Sequence, residues 1–597
     1  MFRGRNVTRF GRPALCLVLV ALACSALGCG GGQTSSQQPP PPAITVGVLV
    51  PNYAVAGGTA FSLYVNGSGF TASSVVQWNG TPLSTTFGTN AILTASISSS
   101  LIANPGTASI TVRDSSSGAT SKSEPFGVAS PAAATAGVVQ LITVASDGTP
   151  ANSDSLVAPS INSDGRYVAF QSAASNLVPG PASGFQDIYL RDTCLGSAPP
   201  SCIASTIRIS VTYDGAPTNG HSRDSSISGD GRFVAFDSQA TNILPGTSIC
   251  GGLSSCVFLR DTCNGAPSGC IPGTTSVAIA TDGTAASGSS PSISSGDEFV
   301  AFASGATNIV GGASGLGDAF VRNTCFTALS AGGAPSTILA SVPSVGGVSN
   351  GNSLTPAVDA VGRFVAFVSW ATNMAPNNNS AVEPNLFVRD TCVGVTSSCT
   401  PSTTRVDVAT DGTAANNSLT YNIVPSITAD GRLIAFATLA TNLVSANVGG
   451  WANVYIRDTC AGAPAGCTPT TSLASVSNDG SIGNNGSSDQ SMSSDGRFIA
   501  FSSLASNLVP GDNEVAGGFK DIFVRDTCFG AGSGCIPSTA RVSITNSPNP
   551  ETEANDISDY PAISGDGHYL VFLSAATNLV PGGTNGHGMV FLAKTGF

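Results

Sequence analysis

Lysine is nearly absent from this chain of 597 residues: Lys122, Lys520 and Lys594 are the only three. Histidine is as rare, at His221, His568 and His587, and only 10% of residues are charged. A formal net charge of −12 with so few basic side chains is poorly suited to neutralising a phosphate backbone, so no nucleic-acid partner is expected. Anionic lipid surfaces are disfavoured for the same reason. Beyond the first thirty residues nothing is apolar for long enough to cross a bilayer as a helix. Neither a P-loop nor an H-E-x-x-H motif occurs. Residues 347–351 (GVSNG) fit G-x-S-x-G, but they fall in a loop between repeats and lack the strand-to-helix turn that a nucleophile elbow requires.

What the chain has instead is repetition. From residue 137 onward a phrase of the form SDGRYVAFQSAASNLVPG, then DIYLRDTC, then STIRISVTYDG, recurs seven times. The copies begin near Asp164, Asp230, Gly296, Val361, Asp430, Asp495 and Asp566, a period of 65 to 71 residues, which indicates an array of similar units. Each copy holds four short stretches rich in β-branched and aromatic residues, the character of strands. The first two are joined by Asp-Gly in most copies, the pair suited to a type I′ hairpin turn. Four antiparallel strands per unit predict one propeller blade each, and an all-β fold class.

The two ends of the array carry the closure argument. Residues 138–144 (VVQLITV) match a fourth strand with no first three before it, and the last unit ends at MVFLAKTGF with no fourth strand after it. Together they complete a seventh blade and leave no open sheet edge. A stacked solenoid is the alternative.

Cysteine points to an oxidising compartment. Cys194/Cys202, Cys250/Cys256, Cys263/Cys270, Cys392/Cys399, Cys460/Cys467 and Cys528/Cys535 are close pairs, and five of the six bracket the loop after the third strand of a unit. With so few histidines, disulfides are favoured over zinc. Cys325 has no partner in its unit, which predicts a free thiol or an intermolecular bond.

Arg3, Arg5, Arg9 and Arg12 precede an uncharged run ending in ALGCGGG, the form of an export signal. This segment resembles a bacterial lipoprotein signal, which implies cleavage before Cys29 and lipidation of that residue; Ala26 stands where such signals have leucine, and Cys24 is a competing site. Residues 1–29 are therefore read as the signal with its lipidated cysteine, and 30–43, with four consecutive prolines, as a semi-rigid tether. The localisation expected is outer membrane or cell surface, with periplasmic or secreted as the alternative.

Residues 44–128 show about seven short strands, enough for a small sandwich. AGGTAFSLYVNGSGF, VVQWNG and GTASITV resemble the IPT/TIG immunoglobulin-like domain, with Gly67, Gly69 and Phe70 at its GSGF turn. The resemblance implies spacing or binding and no catalysis. Residues 129–136 (ASPAAATA) read as a linker. The units of 137–597 resemble TolB-like β-propeller repeats in the pattern PSIS-DGR-VAF and D-[IA]-[FY]-[VL]-RD. TolB serves a periplasmic envelope complex, a role that fold analogy does not transfer.

Recurrent polar residues are expected to be structural, because a reaction needs one asymmetric constellation. An Asn follows each second strand, at Asn176, Asn242, Asn308, Asn373, Asn442, Asn507 and Asn578, and is expected to bond nearby backbone. The Arg of DGR and the Asp of RDT, such as Arg166 and Asp192, are expected to be neighbours on an exposed margin and to contribute little. Inter-unit loops such as TYDGAPTNGHS are rich in oxygen donors but carry few carboxylates, so calcium is a minor expectation and no cofactor is required. Trp370, Tyr421 and Trp451 are candidates to grip a glycan or to pack.

The function expected is a non-catalytic cell-envelope binding or scaffold protein that recognises protein or polysaccharide. The alternative is a carbohydrate-active lyase or glycosidase with acids in the funnel, since a pair of acids from distant loops leaves no local signature. The two differ in one observable: an enzyme places two acids within reach of each other.

Overall fold

The computed structural model describes residues 44–597 apart from 51–52, 56–59, 105, 130–138, 200, 246–253, 326–333, 377–383, 396–397, 421–423, 465, 511–517, 546–552, 581–583 and 585. The expected signal, Cys29 and tether lie outside the described residues, as do Cys250 and Tyr421. Among the described residues there is no helix.

The N-terminal strands form two sheets around one core. Thr45–Val50, Phe61–Ser68, Ile92–Ile97 and Thr85–Thr89 make the first; Tyr53–Val55, Glu124–Ala129, Gly106–Asp114, Ser74–Trp78 and Thr81–Pro82 make the second. Among the described residues nine strands stand where about seven are expected, because the edges add Tyr53–Val55 and Thr81–Pro82, too short to show a period in sequence. Period-two alternation sends Leu63, Val65, Leu93, Val76, Ile110 and Phe126 inward, all fully buried. Glycine is required at Gly67, where a Cβ would lie 2.0 Å from the Thr45 carbonyl oxygen and 2.6 Å from the Phe70 ring.

From Val139 onward the described residues form seven four-stranded antiparallel sheets, six of them from consecutive strands. The fold is all-β and propeller-like. In every sheet the second strand runs between the first and third, and its side chains are buried almost throughout, as in Tyr167–Ser172, Phe233–Ser238 and Phe498–Ser503. Burial on both faces explains why VAF is apolar continuously rather than alternately. An aromatic pair crosses from the second to the third strand in all seven sheets, from Phe170/Tyr189 to Phe572/Phe591, with ring centroids 5.5 to 6.0 Å apart. Such pairs contribute about 0.5–1.5 kcal/mol each beyond the area they bury.

The Asp-Gly connection differs from the type I′ turn expected, which needs positive φ at both central residues. Only the glycine is left-handed (Gly165 φ 80°, Gly231 φ 78°). The loop is longer than two residues and is held by side chains. Gly165 N–H donates to Asn162 O at 3.3 Å, Asp164 Oδ1 accepts the Arg166 N–H at 3.1 Å, and Asn162 Oδ1 accepts the Tyr167 N–H at 2.8 Å. Adjacent turns also bond one another: Ser163 N–H to Gly229 O (3.0 Å), Ala360 to Ala429 (3.0 Å), Ala429 to Ser494 (2.9 Å) and Ser494 to Gly565 (3.0 Å). Asp566 N–H then donates to Ser163 O at 2.9 Å, joining the last turn to the first. The close approach explains why that position holds only Ser, Gly or Ala.

The seventh sheet is assembled from both ends of the array. Val139–Leu141 pairs antiparallel with Met589–Lys594, Val139 opposite Ala593 and Leu141 opposite Phe591, beside Tyr569–Ser574 and Ser558–Ile563. The first sheet packs on this seventh one through Ser160–Ile161, and one buried cluster joins Val168 and Phe170 to Leu570, Phe572 and Phe591.

Candidate recognition face

Because the strands alternate in direction, each unit sends its Asp-Gly turn and its third-to-fourth-strand loop to one side. Its other two loops go to the opposite side. The first is the turn face, the second the loop face.

On the turn face disulfides join Cys194–Cys202, Cys263–Cys270, Cys392–Cys399, Cys460–Cys467 and Cys528–Cys535. Cys256 is also disulfide-bonded, and its expected partner Cys250 is outside the described residues. Cys325 is free and buried. The groups of three potential metal ligands found among the described residues are Asp–Cys–Cys sets at these disulfides, whose sulfurs offer no thiolate.

The Arg and Asp of the repeat do meet, in two-point contacts on a partly exposed margin. Arg432 reaches Asp458 with two bonds, Nε to Oδ1 at 2.9 Å and Nη2 to Oδ2 at 2.7 Å, and Asp458 Oδ1 also accepts the N–H of Cys460, a residue at φ 58°. The same bidentate pair forms at Arg166–Asp192, Arg232–Asp261, Arg363–Asp390 and Arg497–Asp526. In the third unit Glu298 and Asn323 replace the pair, and the disulfide is lost with it. A cleft on this face, lined by Leu433, Ile456, Asp458, Gly496 and Phe529, holds one carboxylate, already bound to Arg432.

On the loop face the recurrent Asn residues bond backbone, but across loops rather than locally. Asn176 Oδ1 accepts the Asn152 N–H at 3.0 Å and its Nδ2 donates to Pro150 O at 2.8 Å; Asn152 in turn bonds Ser175. Oδ1 of Asn242, Asn373, Asn442, Asn507 and Asn578 likewise accepts the N–H of Asn219, Asn350, Asn416, Asn484 and Asn555 respectively. Asn308 departs from the pattern: Ser287 stands in place of its partner, and the Asn308 carbonyl accepts the Thr281 N–H instead. Ser349 of the GVSNG string donates to the Gly351 carbonyl within one such clamp, which is a structural role. Asp282, Asp411 and Asp479 each accept an N–H two residues on, so the loop carboxylates close their own turns.

Nearer the innermost strands the loop face is charged. Asp489 sits at a bulge with φ 54°, and Lys520 Nζ lies 3.1 Å from its Oδ2 and 2.9 Å from Asp559 Oδ2. Burial raises Asp559, and the Asp489 charge adds to it. Burial acts on Asp489 too, but hydrogen bonds from Asp559 and Ser488 and the Lys520 charge hold it below its usual value. In the second sheet Asp224 takes the same bulge position (φ 50°), Ser255 stands in the place of Lys520, and Asp237 is buried with Oδ1 unpartnered. Two acids within reach of each other therefore exist at Asp489 and Asp559.

A residue position that sequence reading missed lies just before the third strand. It holds Phe185, Leu316, Trp451 and Phe519, exposed at 37, 59, 49 and 45%, and His587 in the seventh sheet. Trp451 is one of the aromatics that stand out in sequence; its place in a series emerges only from the register of the sheets. Trp370, at 38% exposure, begins the loop after the second strand of its sheet. Among the histidines, His221 Nδ1 accepts the Gln186 N–H at 3.2 Å, His568 Nδ1 is 3.2 Å from Phe597 O, and His587 Nδ1 is 3.1 Å from Asp154 Oδ1.

The chain is an all-β protein of propeller-like build whose loop face carries exposed aromatics and a bridged acid pair. No family model matches it, and no curated protein matches it. Solved structures similar in fold include a protein assigned as TolB from Agrobacterium tumefaciens, at 12% identity and TM-score 0.30, covering 65% of this chain and 94% of that one. An oligogalacturonate lyase from Vibrio parahaemolyticus is similar at 9% identity and TM-score 0.40, over 76% of this chain and 93% of that one. An auxiliary nutrient binding protein from Bacteroides thetaiotaomicron is similar at 8% identity and TM-score 0.33, over 93% and 98%. Likenesses of this size assign no chemistry to this chain.

Proposed function

We propose that residues 137–597 form a seven-bladed β-propeller and residues 44–128 an IPT/TIG-type spacer, joined by the linker 129–136. The protein acts as a non-catalytic binding scaffold in the cell envelope and presents the loop face to a protein or polysaccharide. The observation that carries this reading is the loop face itself, where clamped loops hold exposed aromatic side chains while the recurrent polar residues are spent on structure. The ring is supported by seven sheets with both ends of the array in the last. Export is supported by the disulfides, which persist in oxidising compartments, and by the leader and tether read from residues 1–43, with Cys29 as the lipidated residue. Passing the purified protein over immobilised polysaccharides and envelope extracts tests it: selective retention without product release is expected, and no retention of any kind overturns it.

A second reading, a carbohydrate-active lyase or glycosidase, is favoured by the Asp489–Asp559 pair. Against it, both carboxylates are tied to Lys520, and Asp489 also accepts from Ser502. Product release that disappears in Asp489→Asn and Asp559→Asn would establish this second reading.

A further inference from the structure

The residue after each exposed aromatic fixes where that aromatic stands. Its carbonyl accepts an N–H from the chain entering the next sheet: Gln186 from Ser222 (2.9 Å), Ala452 from Ser487 (2.8 Å) and Lys520 from Ser558 (2.9 Å), each the first residue of a strand, and Gly588 from Ser155 (2.8 Å), which precedes the strand Ser160–Ile161. Trp451, Phe519, His587 and Phe185 therefore hold the same place in four successive sheets: the fifth, sixth, seventh and first. Gly450, Gly586 and Gly184 precede three of them at φ 74 to 79°, a left-handed bend that favours glycine; Gly315 makes the same bend (φ 77°) before Leu316, so the bend belongs to the position and not to the aromatic. The second and third sheets place Ser254 and Leu316 there, so the aromatic series is an arc over part of the circle.

We infer that this arc, Trp451–Phe519–His587–Phe185, is a binding track for an extended polysaccharide that is uncharged or cationic. The inference rests on the recognition reading above and names its ligand class and its place. Packed sheets lie about 10 Å apart, so one flat ring per sheet gives evenly repeated platforms of the kind a repeating polymer can use. A pyranose offers an apolar face of C–H bonds to such a ring and hydroxyls at its edge. Polar groups alternate with the rings along the arc: Gln186, Lys520 with Asp559, and Asp154 beside His587. A protein partner would instead call for clustered apolar anchors in one desolvated centre. Charge sets the sign of the ligand. The loops of this face expose Asp214, Asp282, Asp411 and Asp479, and the arc's single lysine is held by two carboxylates, so a polyanion would meet repulsion.

The test uses the full chain with cellulose, xylan, chitin, chitosan and polygalacturonate as probes, read as depletion from solution. Retention on at least one of the first four is expected, with affinity falling about tenfold or more in Trp451→Ala/Phe519→Ala. An Ile271→Ala/Ile536→Ala control, altered at exposed residues of the turn face, is expected to bind as the parent does. Thermal unfolding of each variant establishes that it is folded. Retention unchanged in the Trp451/Phe519 variant overturns the track while leaving recognition by the ring standing. Preference for polygalacturonate, or no retention on the other four, overturns the inference; in the latter case the broader reading is decided separately by capture of an envelope protein.

Discussion

Asp237 is 5% exposed and its Oδ1 accepts no hydrogen bond. Burial, and after it the Asp224 charge, push its carboxyl up to about 7 from an ordinary 3.8. Between those values the folded chain holds a proton that the unfolded chain has released, so this group's stabilising contribution is complete below the lower value and is lost as pH rises through the upper one. Asp237→Asn is expected to flatten that decline, raising the melting temperature at about pH 8 and leaving it nearly unchanged at about pH 3. Asp359 and Asp297, each raised to about 6 with burial the main cause, add slopes of the same sign and remain in the variant. Identical pH profiles for parent and variant would contradict the assignment. The Arg–Asp pairs allow a second test at this scale. Arg432→Ala removes a quarter-exposed guanidinium and is expected to cost under about 1 kcal/mol. Asp458→Ala also strands the Cys460 N–H and is expected to cost about 1–2 kcal/mol. Denaturant midpoints measure both, and an arginine cost equal to or above the aspartate cost would refute the role of Asp458 in holding the Cys460 N–H.

At the scale of the element, the third and seventh sheets show what a disulfide does for a unit. Both hold the strand pairing of the others, and Cys325 in the third is a free thiol. The bond constrains a loop and does not create the sheet. Cys460→Ser/Cys467→Ser is expected to lower stability by about 2–3 kcal/mol on the chain-entropy model, with Thr470–Leu473 still paired to Asn453–Asp458. Hydrogen exchange at Thr470–Leu473 reads this directly, and loss of protection across the whole array would contradict it. The strands were legible in sequence because β-branched and aromatic runs recur at one spacing. The turns were less so: Asp-Gly suits a type I′ hairpin, and it was the side-chain bonds of Asn162 and Asp164, dependent on residues on both flanks, that selected the longer loop. The inner-strand bulges at Asp224 and Asp489 had no sequence signal, since a left-handed non-glycine residue is set by packing and not by its own preference.

For the whole molecule, repetition made the array legible and asymmetry hid the site. Seven copies of one phrase fix where every equivalent residue lies, whereas an arc of aromatics over four sheets shows only when those equivalent positions are aligned in space. The Lys520 bridge is of the same kind, since it unites the sixth and seventh sheets from positions far apart in the chain. Everything proposed for the loop face depends on the ring being closed by its two ends, because only a closed circle puts Phe185 of the first sheet next to His587 of the seventh. The most direct measurement is oxidative cross-linking of Val139→Cys/Ala593→Cys, a pair that faces across adjacent strands, in a Cys325→Ser background. The closed ring predicts one intramolecular disulfide linking these positions in the folded monomer, seen by mass spectrometry of the digest. Cysteines that stay reduced in the folded monomer, or link only between chains, would contradict it.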